Sequence, residues 1–345
     1  MRKINIKQTP FASYCLNGVA EGCKFCVKGR KLVLFITGIC SRNCWYCSLS
    51  EKRKNKDDIW VNERKCKSIK EMIEEAKESN ACGAGITGGD PLLKMQRTLK
   101  YARALKKKFK HFHIHIYLPT KFVTKGKLKK LKRVVDEIRF HPEFLINKNK
   151  EKEDIEKIRF ASLFWKKQNI GIELPILPDK KQEILEFILK IKDYIGFVNL
   201  NELEISDTNF NFITKKYKLK RGGYVVVGSK EAGLWILKKC KKAKLKLRIH
   251  LCTAETKNWH QYKNRLLCHE ILPFGKRTSE GTIVYFAVYG KKIKNKLAFA
   301  DKKKNRIIIS ERLVPKLIKK YKIYKVEEYP TYDGIETERG EIKWT

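Results

Sequence analysis

The 345-residue sequence contains no apolar run near the roughly 20 residues that a membrane-spanning helix needs. Its N-terminus lacks the apolar centre of a secretory signal, and the chain has no internal repeats and no low-complexity linker. We therefore predict a cytosolic protein. Because cytosolic thiols stay reduced, its eleven cysteines are expected to be metal ligands or core thiols rather than disulfides.

Acidic residues are scarce, since 37 Asp and Glu stand against 78 Lys and Arg, a formal net charge of +41. A field of that sign attracts polyanions and predicts nucleic acid, such as tRNA, as a partner. A lysine-rich genome is the alternative, although heat-adapted proteins normally gain Glu together with Lys. No recognised RNA-binding motif accompanies the charge.

Hydrophobic residues make up 42% of the chain, which is enough for a substantial core. Strand-like stretches alternate with helical patterns and lie at 31–37, 83–87, 111–118, 136–140, 170–175, 196–205, 223–227 and 245–250. This alternation predicts an α/β fold of parallel β/α units, a barrel with its site at the carboxyl ends of the strands. Short antiparallel strands follow. We predict an N-terminal cysteine segment at 1–30, a barrel at 31–275 and a small β-rich domain at 276–345.

The most informative motif is Gly38-Ile-Cys-Ser-Arg-Asn-Cys-Trp-Tyr-Cys-Ser48, which contains Cys40, Cys44 and Cys47. It directly follows a predicted strand, so the three thiols share one compact loop. Thiolates are the soft ligands that iron–sulfur clusters require. Three of them leave one iron of a [4Fe–4S] cluster open for a small molecule, as in unsaturated catalytic metal sites. A zinc knuckle is the weaker interpretation, because no histidine lies near the motif.

A second motif, Ile86-Thr-Gly-Gly-Asp-Pro91, ends the next predicted strand and opens a helix at Pro91. Gly88 and Gly89 permit a ligand to approach the main chain closely. The carboxylate of Asp90 can pair with an ammonium group. An ordinary glycine turn before a helix is the alternative.

Three further cysteines, Cys15, Cys23 and Cys26, precede the first motif. A Cys-x2-Cys pair with a third cysteine nearby is metal-ligand spacing, and it predicts an auxiliary iron–sulfur cluster or a structural zinc ion. Cys252 is the first candidate for a fourth ligand. Thiols that simply pack in the core are the alternative.

Polar side chains interrupt strands that otherwise look buried, most densely at 199–204. A buried polar group is costly unless it is hydrogen-bonded, and in a barrel it commonly faces the ligand. We predict that Asn199 and Asn201 line a cofactor or substrate pocket. Structural hydrogen bonds would explain each of them equally well.

The cysteine motif, with Tyr46 as the aromatic residue before its last cysteine, and the glycine motif resemble the radical S-adenosylmethionine (SAM) superfamily. With the stretches 22–29 and 199–204, they are similar to an archaeal group related to pyruvate formate-lyase activating enzymes. The resemblance spans about residues 10–290. It implies a partial (β/α)6-type barrel and a [4Fe–4S] cluster on the three cysteines. It also implies SAM at the glycine motif, with Tyr46 near its adenine.

The resemblance further implies one-electron cleavage of SAM, fed by a reductant such as ferredoxin or flavodoxin. The products would be methionine and a 5′-deoxyadenosyl radical that abstracts hydrogen from the substrate. It names no substrate and no catalytic side chain. From the charge we expect RNA, in particular tRNA, as the substrate. Radical modification of a protein or peptide is the alternative, and a non-catalytic, zinc-stapled RNA-binding protein is the third hypothesis.

Overall fold

The structure is a computed structural model that describes residues 5–343 and contains two β-sheets. The larger sheet consists of β1 (Ile6–Gln8), β2 (Tyr14–Leu16), β3 (Lys31–Phe35), β4 (Ile59–Val61), β5 (Arg64–Cys66), β6 (Gly83–Thr87), β7 (His113–Pro119), β8 (Glu137–His141), β9 (Ile170–Ile176), β10 (Phe197–Glu202) and β11 (Arg248–Cys252). Residues 1–4 and 344–345, which the predicted terminal segments include, lie outside the described residues.

Seven strands of the larger sheet are parallel, in the spatial order β11-β10-β9-β8-β7-β6-β3. The antiparallel strands β2 and β4 flank this array. Side chains from all seven parallel strands line one cavity, so the sheet curves around it. The predicted α/β partial barrel is therefore confirmed, with seven parallel strands where the pattern suggested about six.

Ten α-helices accompany the sheets. They are α1 (Glu21–Val27), α2 (Ile69–Glu78), α3 (Met95–Lys108), α4 (Lys125–Leu131), α5 (Glu151–Ala161), α6 (Lys181–Ile191), α7 (Phe210–Lys216), α8 (Ser229–Lys242), α9 (Tyr262–Cys268) and α10 (Val314–Leu317) among residues 5–343. A π-helix, Thr256–Gln261, leads into α9. Ser68 caps α2, because its hydroxyl accepts a hydrogen bond from the Glu71 amide; such a cap contributes about 1 kcal/mol.

Strand alternation separates the core from the cavity. On β10, Val198 and Leu200 are fully buried in the core, whereas Asn199 and Asn201 line the cavity. Successive side chains of a strand point to opposite faces of the sheet, so one sequence pattern supplies both surfaces. The apolar face packs against the helices, and the polar face is left for chemistry.

Helix α1 packs tightly against the inside of the barrel. A Cβ atom on Gly22 would lie 2.4 Å from His115 Nδ1, so only glycine fits there. At the other end of α1, the amide of Asn264 in α9 donates to the carbonyl of Val27 at 2.7 Å. Helix α1, which carries Cys23 and Cys26, is therefore held between β7 and α9.

Helix α9 joins the two sides of the curved sheet. It follows β11 closely in sequence, and its Arg265 donates to both carboxylate oxygens of Glu63, in the turn between β4 and β5. The contact ties the last parallel strand to the opposite edge of the sheet. Among the helices of residues 5–343, none has the length and apolar character needed to cross a membrane.

The second sheet is antiparallel and consists of β12 (Lys276–Arg277), β13 (Ile283–Tyr289), β14 (Ala298–Asp301), β15 (Arg306–Ile309), β16 (Ile323–Glu328) and β17 (Glu336–Ile342). The expected β-rich C-terminal part is present. The division of the chain into domains stays a prediction. The strand predicted at 223–227 is wrong, because Val225 and Val226 form only isolated bridges, to Glu204 and Leu219.

Candidate functional site

A cavity of about 540 Å³ lies inside the curved sheet. Cys40, Cys44 and Cys47 line it from the loop that follows β3, which we call the cluster loop (residues 38–48). Cys23, Cys26 and Cys252 line it as well, from α1 and β11. The structure thus directs six cysteines, in two groups, toward one cavity.

Arg42 anchors the cluster loop. Its guanidinium donates to the carbonyl of His141 at 2.6 Å and to the hydroxyl of Thr120 at 2.5 Å. The Thr120 hydroxyl in turn donates to Asp154. Because Thr120 and His141 lie at the ends of β7 and β8, Arg42 fixes the loop to the barrel rim.

Loop residues after β10 hold the other side of the cluster loop. The amide of Asn209, which is fully buried, donates to the carbonyl of Tyr46 at 3.2 Å. The hydroxyl of Thr208 donates to the carbonyl of Cys47, also at 3.2 Å. These bonds satisfy buried backbone carbonyls and fix the loop next to the cavity.

Tyr46 is fixed by a neutral histidine. Its hydroxyl lies 3.1 Å from Nε2 of His141, whose Nδ1 lies 2.9 Å from the carbonyl oxygen of Glu173. A carbonyl only accepts, so Nδ1 carries the proton and Nε2 accepts from Tyr46. Burial, aided by Arg42, lowers the pKa of His141 to about 4, which keeps it neutral near pH 7. The predicted position of Tyr46 near adenine stays a prediction.

The glycine motif packs directly against the cluster loop. A Cβ on Gly89 would lie 2.2 Å from the Ile39 carbonyl oxygen, and the Gly89 amide donates to the Thr37 carbonyl at 2.7 Å. Gly88 has a φ of +147°, a conformation that favours glycine. Both glycines line the cavity. Gly89 contacts the backbone of the cluster loop, and Gly88 contacts the backbone of Thr37 directly before it.

Asp90 is fully buried and is not among the residues that line the cavity. Its carboxylate accepts from the Leu92 amide at 2.9 Å and from the Ser41 hydroxyl at 3.4 Å. It therefore caps the short helix at Pro91–Lys94 and contacts the cluster loop. Its contact with the ammonium of SAM stays a prediction.

The three thiols of the cluster loop suit a cluster better than a single ion. No three cysteine thiols of residues 5–343 lie within 4.8 Å of one another. Two sulfurs bound to one zinc at about 2.3 Å each would lie at most about 4.6 Å apart. In a four-iron cluster each thiolate binds a different iron, so wider spacing is needed. This donor set fits the [4Fe–4S] group.

Burial of the cluster loop disfavours thiolates, and Arg42 opposes this effect only in part. Burial raises the pKa of Cys44 to about 12 and also raises that of Cys40, while the Arg42 charge acts in the opposite direction. Without metal the two groups are thiols. Iron binding must therefore release protons here, as it does wherever thiols become ligands.

The structure places the cysteines of the predicted auxiliary group in two places. Gln261 connects Cys26 with Cys252, because its carbonyl accepts from the Cys26 thiol at 3.0 Å and its amide lies 3.6 Å from the Cys252 sulfur. Cys15 lies on β2, opposite His250 in register, and does not line the cavity, whereas Cys23, Cys26 and Cys252 do. Metal binding by Cys15, Cys23 and Cys26 stays a prediction.

A buried polar network connects the two cysteine groups. Glu173 accepts from the amides of Asn199 and Asn201, both at 3.0 Å, and from Arg139 at 2.9 Å. Burial would raise the pKa of Glu173, but Arg139 and the two amides lower it below its usual value. Asn199 and Asn201 thus line the cavity and are also satisfied structurally, while their contact with a cofactor or substrate stays a prediction.

Arg139 and His250 are site residues that the sequence did not single out as ligands. Nη2 of Arg139 lies 3.5 Å from the Cys23 sulfur, and burial raises the pKa of that thiol to about 11 while Arg139 opposes the change. His250 lines the cavity, and neither of its ring nitrogens has a partner in the described part of the chain. Both residues were visible as charged or polar side chains in otherwise apolar strands.

Comparison with known proteins identifies a matching family model and a protein of similar sequence. Residues 34–163 match the model of the Radical SAM superfamily. A Methanocaldococcus jannaschii protein named "putative glycyl-radical enzyme activating enzyme" is 43% identical over 254 residues, which are 72% of this chain and 66% of that protein. This chain therefore spans slightly less than two thirds of that relative's length.

Two solved structures show limited similarity, and one of them is described as a radical SAM enzyme, coproporphyrinogen III oxidase. Coproporphyrinogen III oxidase from Escherichia coli matches with a TM-score of 0.41 and 10% identity, covering 65% of this chain and 56% of the other. The protein anSMEcpe, with bound AdoMet and a Cp18Cys peptide, matches with a TM-score of 0.42 and 10% identity, covering 64% and 62%.

Proposed function

Since this chain belongs to the radical SAM superfamily, we propose that it is an enzyme that modifies a protein by abstracting hydrogen from a glycine residue. The supporting observation is the 43% identity, over 72% of this chain, to a protein named for activation of a glycyl-radical enzyme. The sequence favoured RNA modification, and modification of a protein was the alternative. The RNA substrate and nucleic-acid partner expected from the charge have no support in the comparisons.

Cys40, Cys44 and Cys47 would hold the cluster, and the cavity beside them would receive SAM. When bound, the cluster and SAM supply one-electron reductive cleavage and hence a 5′-deoxyadenosyl radical. Arg42, Tyr46 and Asn209 orient the loop through the buried contacts described above. An external one-electron donor, such as ferredoxin or flavodoxin, is required.

The cavity lining carries charges of both signs. Three carboxylates line it, those of Glu173, Glu202 and Glu204. Two lining cations pair with them, Arg139 with Glu173 at 2.9 Å and Lys257 with Glu204 at 2.7 Å. Three more cations, Lys31, Arg42 and Lys54, also line the cavity, so its charges do not by themselves select between a polypeptide and a polyanion.

Many of the surplus lysines lie away from the cavity. Those at the end of α8, for example Lys238, Lys241 and Lys242, are exposed on the outside of the barrel and do not line it. The strong positive charge is therefore compatible with a site that acts on a protein.

Deuterium transfer tests the proposed substrate class. Anaerobically prepared, cluster-loaded protein is mixed with SAM, dithionite, and either protein from source cells grown on deuterated glycine or deuterated RNA from the same cells. We expect deuterium in 5′-deoxyadenosine from the protein fraction and a glycyl radical by electron paramagnetic resonance (EPR). Transfer from the RNA alone would establish the rival substrate. Cys44→Ala should transfer none, whereas Cys82→Ala, remote from the cavity, should behave like the wild type.

We also propose that Cys23, Cys26 and Cys252, with His250, hold the auxiliary iron–sulfur cluster. The support is their convergence on the same cavity, where Nη2 of Arg139 lies 3.5 Å from the Cys23 sulfur and partly opposes the rise of its pKa that burial causes. His250 and Cys252 lie two residues apart on β11, so their side chains point to the same face of the strand, the one toward the cavity. Cys15→Ser should leave the iron content unchanged, while Cys252→Ser should lower it from about eight to about four atoms per chain. Loss of one zinc instead would indicate a structural ion.

A further inference from the structure

Outside the cavity, a second cluster of potential metal ligands lies between α2 and the end of α9. One ligand atom from each of Glu75, Glu78 and His269 lies within 4.8 Å of the others. Glu75 and Glu78 are separated by about one turn of α2, and His269 directly follows α9. Glu75 is 1% exposed and His269 is 7% exposed, so the group lies largely inside the protein.

Each of the three side chains can offer a lone pair of electrons to a cation. The Nδ1 atom of His269 lies 2.9 Å from the Glu270 carbonyl oxygen, so this nitrogen carries the proton and Nε2 is an acceptor. One carboxylate oxygen of Glu75 accepts from the Asn62 amide at 2.8 Å. Its other oxygen and Nε2 of His269 are buried without a partner among residues 5–343. Such a concentration of acceptors is costly unless a cation joins it.

The neighbouring protein cations are engaged elsewhere. The guanidinium of Arg265, which acts on Glu75 electrostatically, donates both of its terminal nitrogens to Glu63. The ammonium of Lys303, which interacts electrostatically with Glu78, donates to the Tyr332 carbonyl. Neither side chain forms a hydrogen bond to the unpartnered Glu75 oxygen or to Nε2 of His269.

We propose that Glu75, Glu78 and His269 bind a divalent first-row transition-metal ion, independently of the radical SAM site. Two carboxylates match the charge of the ion, and a mixed carboxylate and imidazole donor set suits ions such as Mn²⁺, Fe²⁺ and Zn²⁺. Metal-bound histidines normally donate their second ring nitrogen to a carbonyl or carboxylate. His269 already does so through Glu270, which leaves the unpartnered Nε2 as the ring atom available to a metal ion.

The ion would join the barrel to the segment that leads into the second sheet. Arg277, on β12, donates to the carbonyls of Leu266 and His269 and so fixes this segment to the end of α9. Helix α9 in turn holds α1 through Asn264. Metal binding at α2 would therefore stabilise the arrangement of α2, α9 and β12, and its role is structural.

Manganese titration tests the proposal, because Mn²⁺ is a hard ion with little preference for the eleven cysteines. Full-length protein, treated anaerobically with chelator and then desalted, is titrated with MnCl₂ while the free-ion signal is followed by EPR. We expect one bound Mn²⁺ per chain and a higher melting temperature. In Glu78→Gln, affinity should fall at least tenfold and the thermal shift should disappear. Glu74→Gln, on the same helix but paired with Arg64, should match the wild type.

Two results would overturn the proposal. One is the absence of stoichiometric Mn²⁺ binding in the wild type, as expected if Glu75 and His269 simply share a proton. The other is binding that Glu78→Gln and His269→Gln leave unchanged, since the ion would then lie elsewhere. Circular dichroism confirms that each variant is folded, and 5′-deoxyadenosine formation is measured separately, so failure of the radical SAM assignment would not affect this outcome.

Discussion

Single side chains determine how the cluster loop is held. Arg42 is nearly inaccessible, with a side chain 1% exposed, and binds the ends of two strands at once. A lysine at this position would carry the same charge but could not reach both partners in the fork geometry of a guanidinium. The position of the three thiols therefore depends on a residue that is not itself a ligand.

Arg42→Lys should lower the free energy of unfolding by about 2 kcal/mol, because buried charge-assisted hydrogen bonds are lost. It should also speed the loss of iron from the reconstituted protein. Urea denaturation and timed iron release measure both effects. Arg103→Lys, at an exposed position of α3, serves as the control and should change neither. A stability equal to that of the control would show that Arg42 does not anchor the loop.

His141 should make stability depend on pH. Its pKa is lowered to about 4 in the folded protein, so the neutral form is favoured there. This contribution is complete above the unfolded value of about 6.5 and is lost as the pH falls toward 4, by about 3 kcal/mol at most. Between pH 7 and pH 4.5, the free energy of unfolding should fall by more in the wild type than in His141→Phe. Equal losses, with His111→Asn as the exposed control, would contradict the assignment.

Residue identity alone indicated the candidate ligands but not the side chains that hold their loop in place. The x3 and x2 spacing of Cys40, Cys44 and Cys47 is readable because the three lie within one loop. Arg42 and Asn209 reach partners that are distant in sequence, His141 and Tyr46, and no local pattern encodes such contacts. Cys252 was recognised as a candidate, yet its pairing with Cys26 through Gln261 depends on how α1 packs.

Secondary-structure elements place the cluster loop by close backbone contact. The end of β6 meets the start of the loop at Gly88 and Gly89, where the Gly89 Cβ position lies 2.2 Å from the Ile39 carbonyl oxygen and 2.9 Å from the Cys40 amide. The sequence predicted that the glycines make room for a ligand. In the structure they also make room for the loop that carries the thiols.

Gly89→Ala should displace the cluster loop, because the added methyl group would meet backbone atoms that have nowhere to move. We expect less than half of the wild-type iron after reconstitution and a lower melting temperature. Gly126→Ala is the matched control, since nothing lies within 4 Å of a Cβ there and alanine favours the helix by about 1 kcal/mol. Full iron incorporation by Gly89→Ala would refute this role.

Element types were predictable where periodicity extends over a whole strand, as on β10. The error at 223–227 shows the limit, since Tyr224 to Val227 read as an apolar strand but pair only through isolated bridges. A short apolar run forms a strand only where a neighbouring strand has unpaired backbone groups, and the run itself does not show whether such a neighbour exists.

At the scale of the molecule, α9 and the residues after it join the two edges of the barrel sheet. The ion pair of Arg265 with Glu63 joins the helix after β11 to the opposite edge of the sheet. Its side chains are 15% and 27% exposed, so solvent screens it only in part.

The net charge of +41 predicted a nucleic-acid partner, and that remains a prediction because net charge shows which partners are attracted but not which reaction takes place.

Arg265→Met should lower the free energy of unfolding by about 2 kcal/mol, since it leaves Glu63 without its partner in a poorly solvated place. Arg339→Met removes a more exposed pair with Glu336 and should cost less than about 0.5 kcal/mol. Chemical denaturation of the two variants measures the difference. Similar stabilities would show that the contact does not contribute to closure.

The most direct measurement is SAM cleavage by anaerobically reconstituted protein, followed as 5′-deoxyadenosine formed after reduction with dithionite. The wild type and Cys82→Ala should release it, whereas Cys40→Ala, Cys44→Ala and Cys47→Ala should release none. Cleavage that persists in any of these three variants would contradict the claim that the cluster loop binds the iron at which SAM reacts.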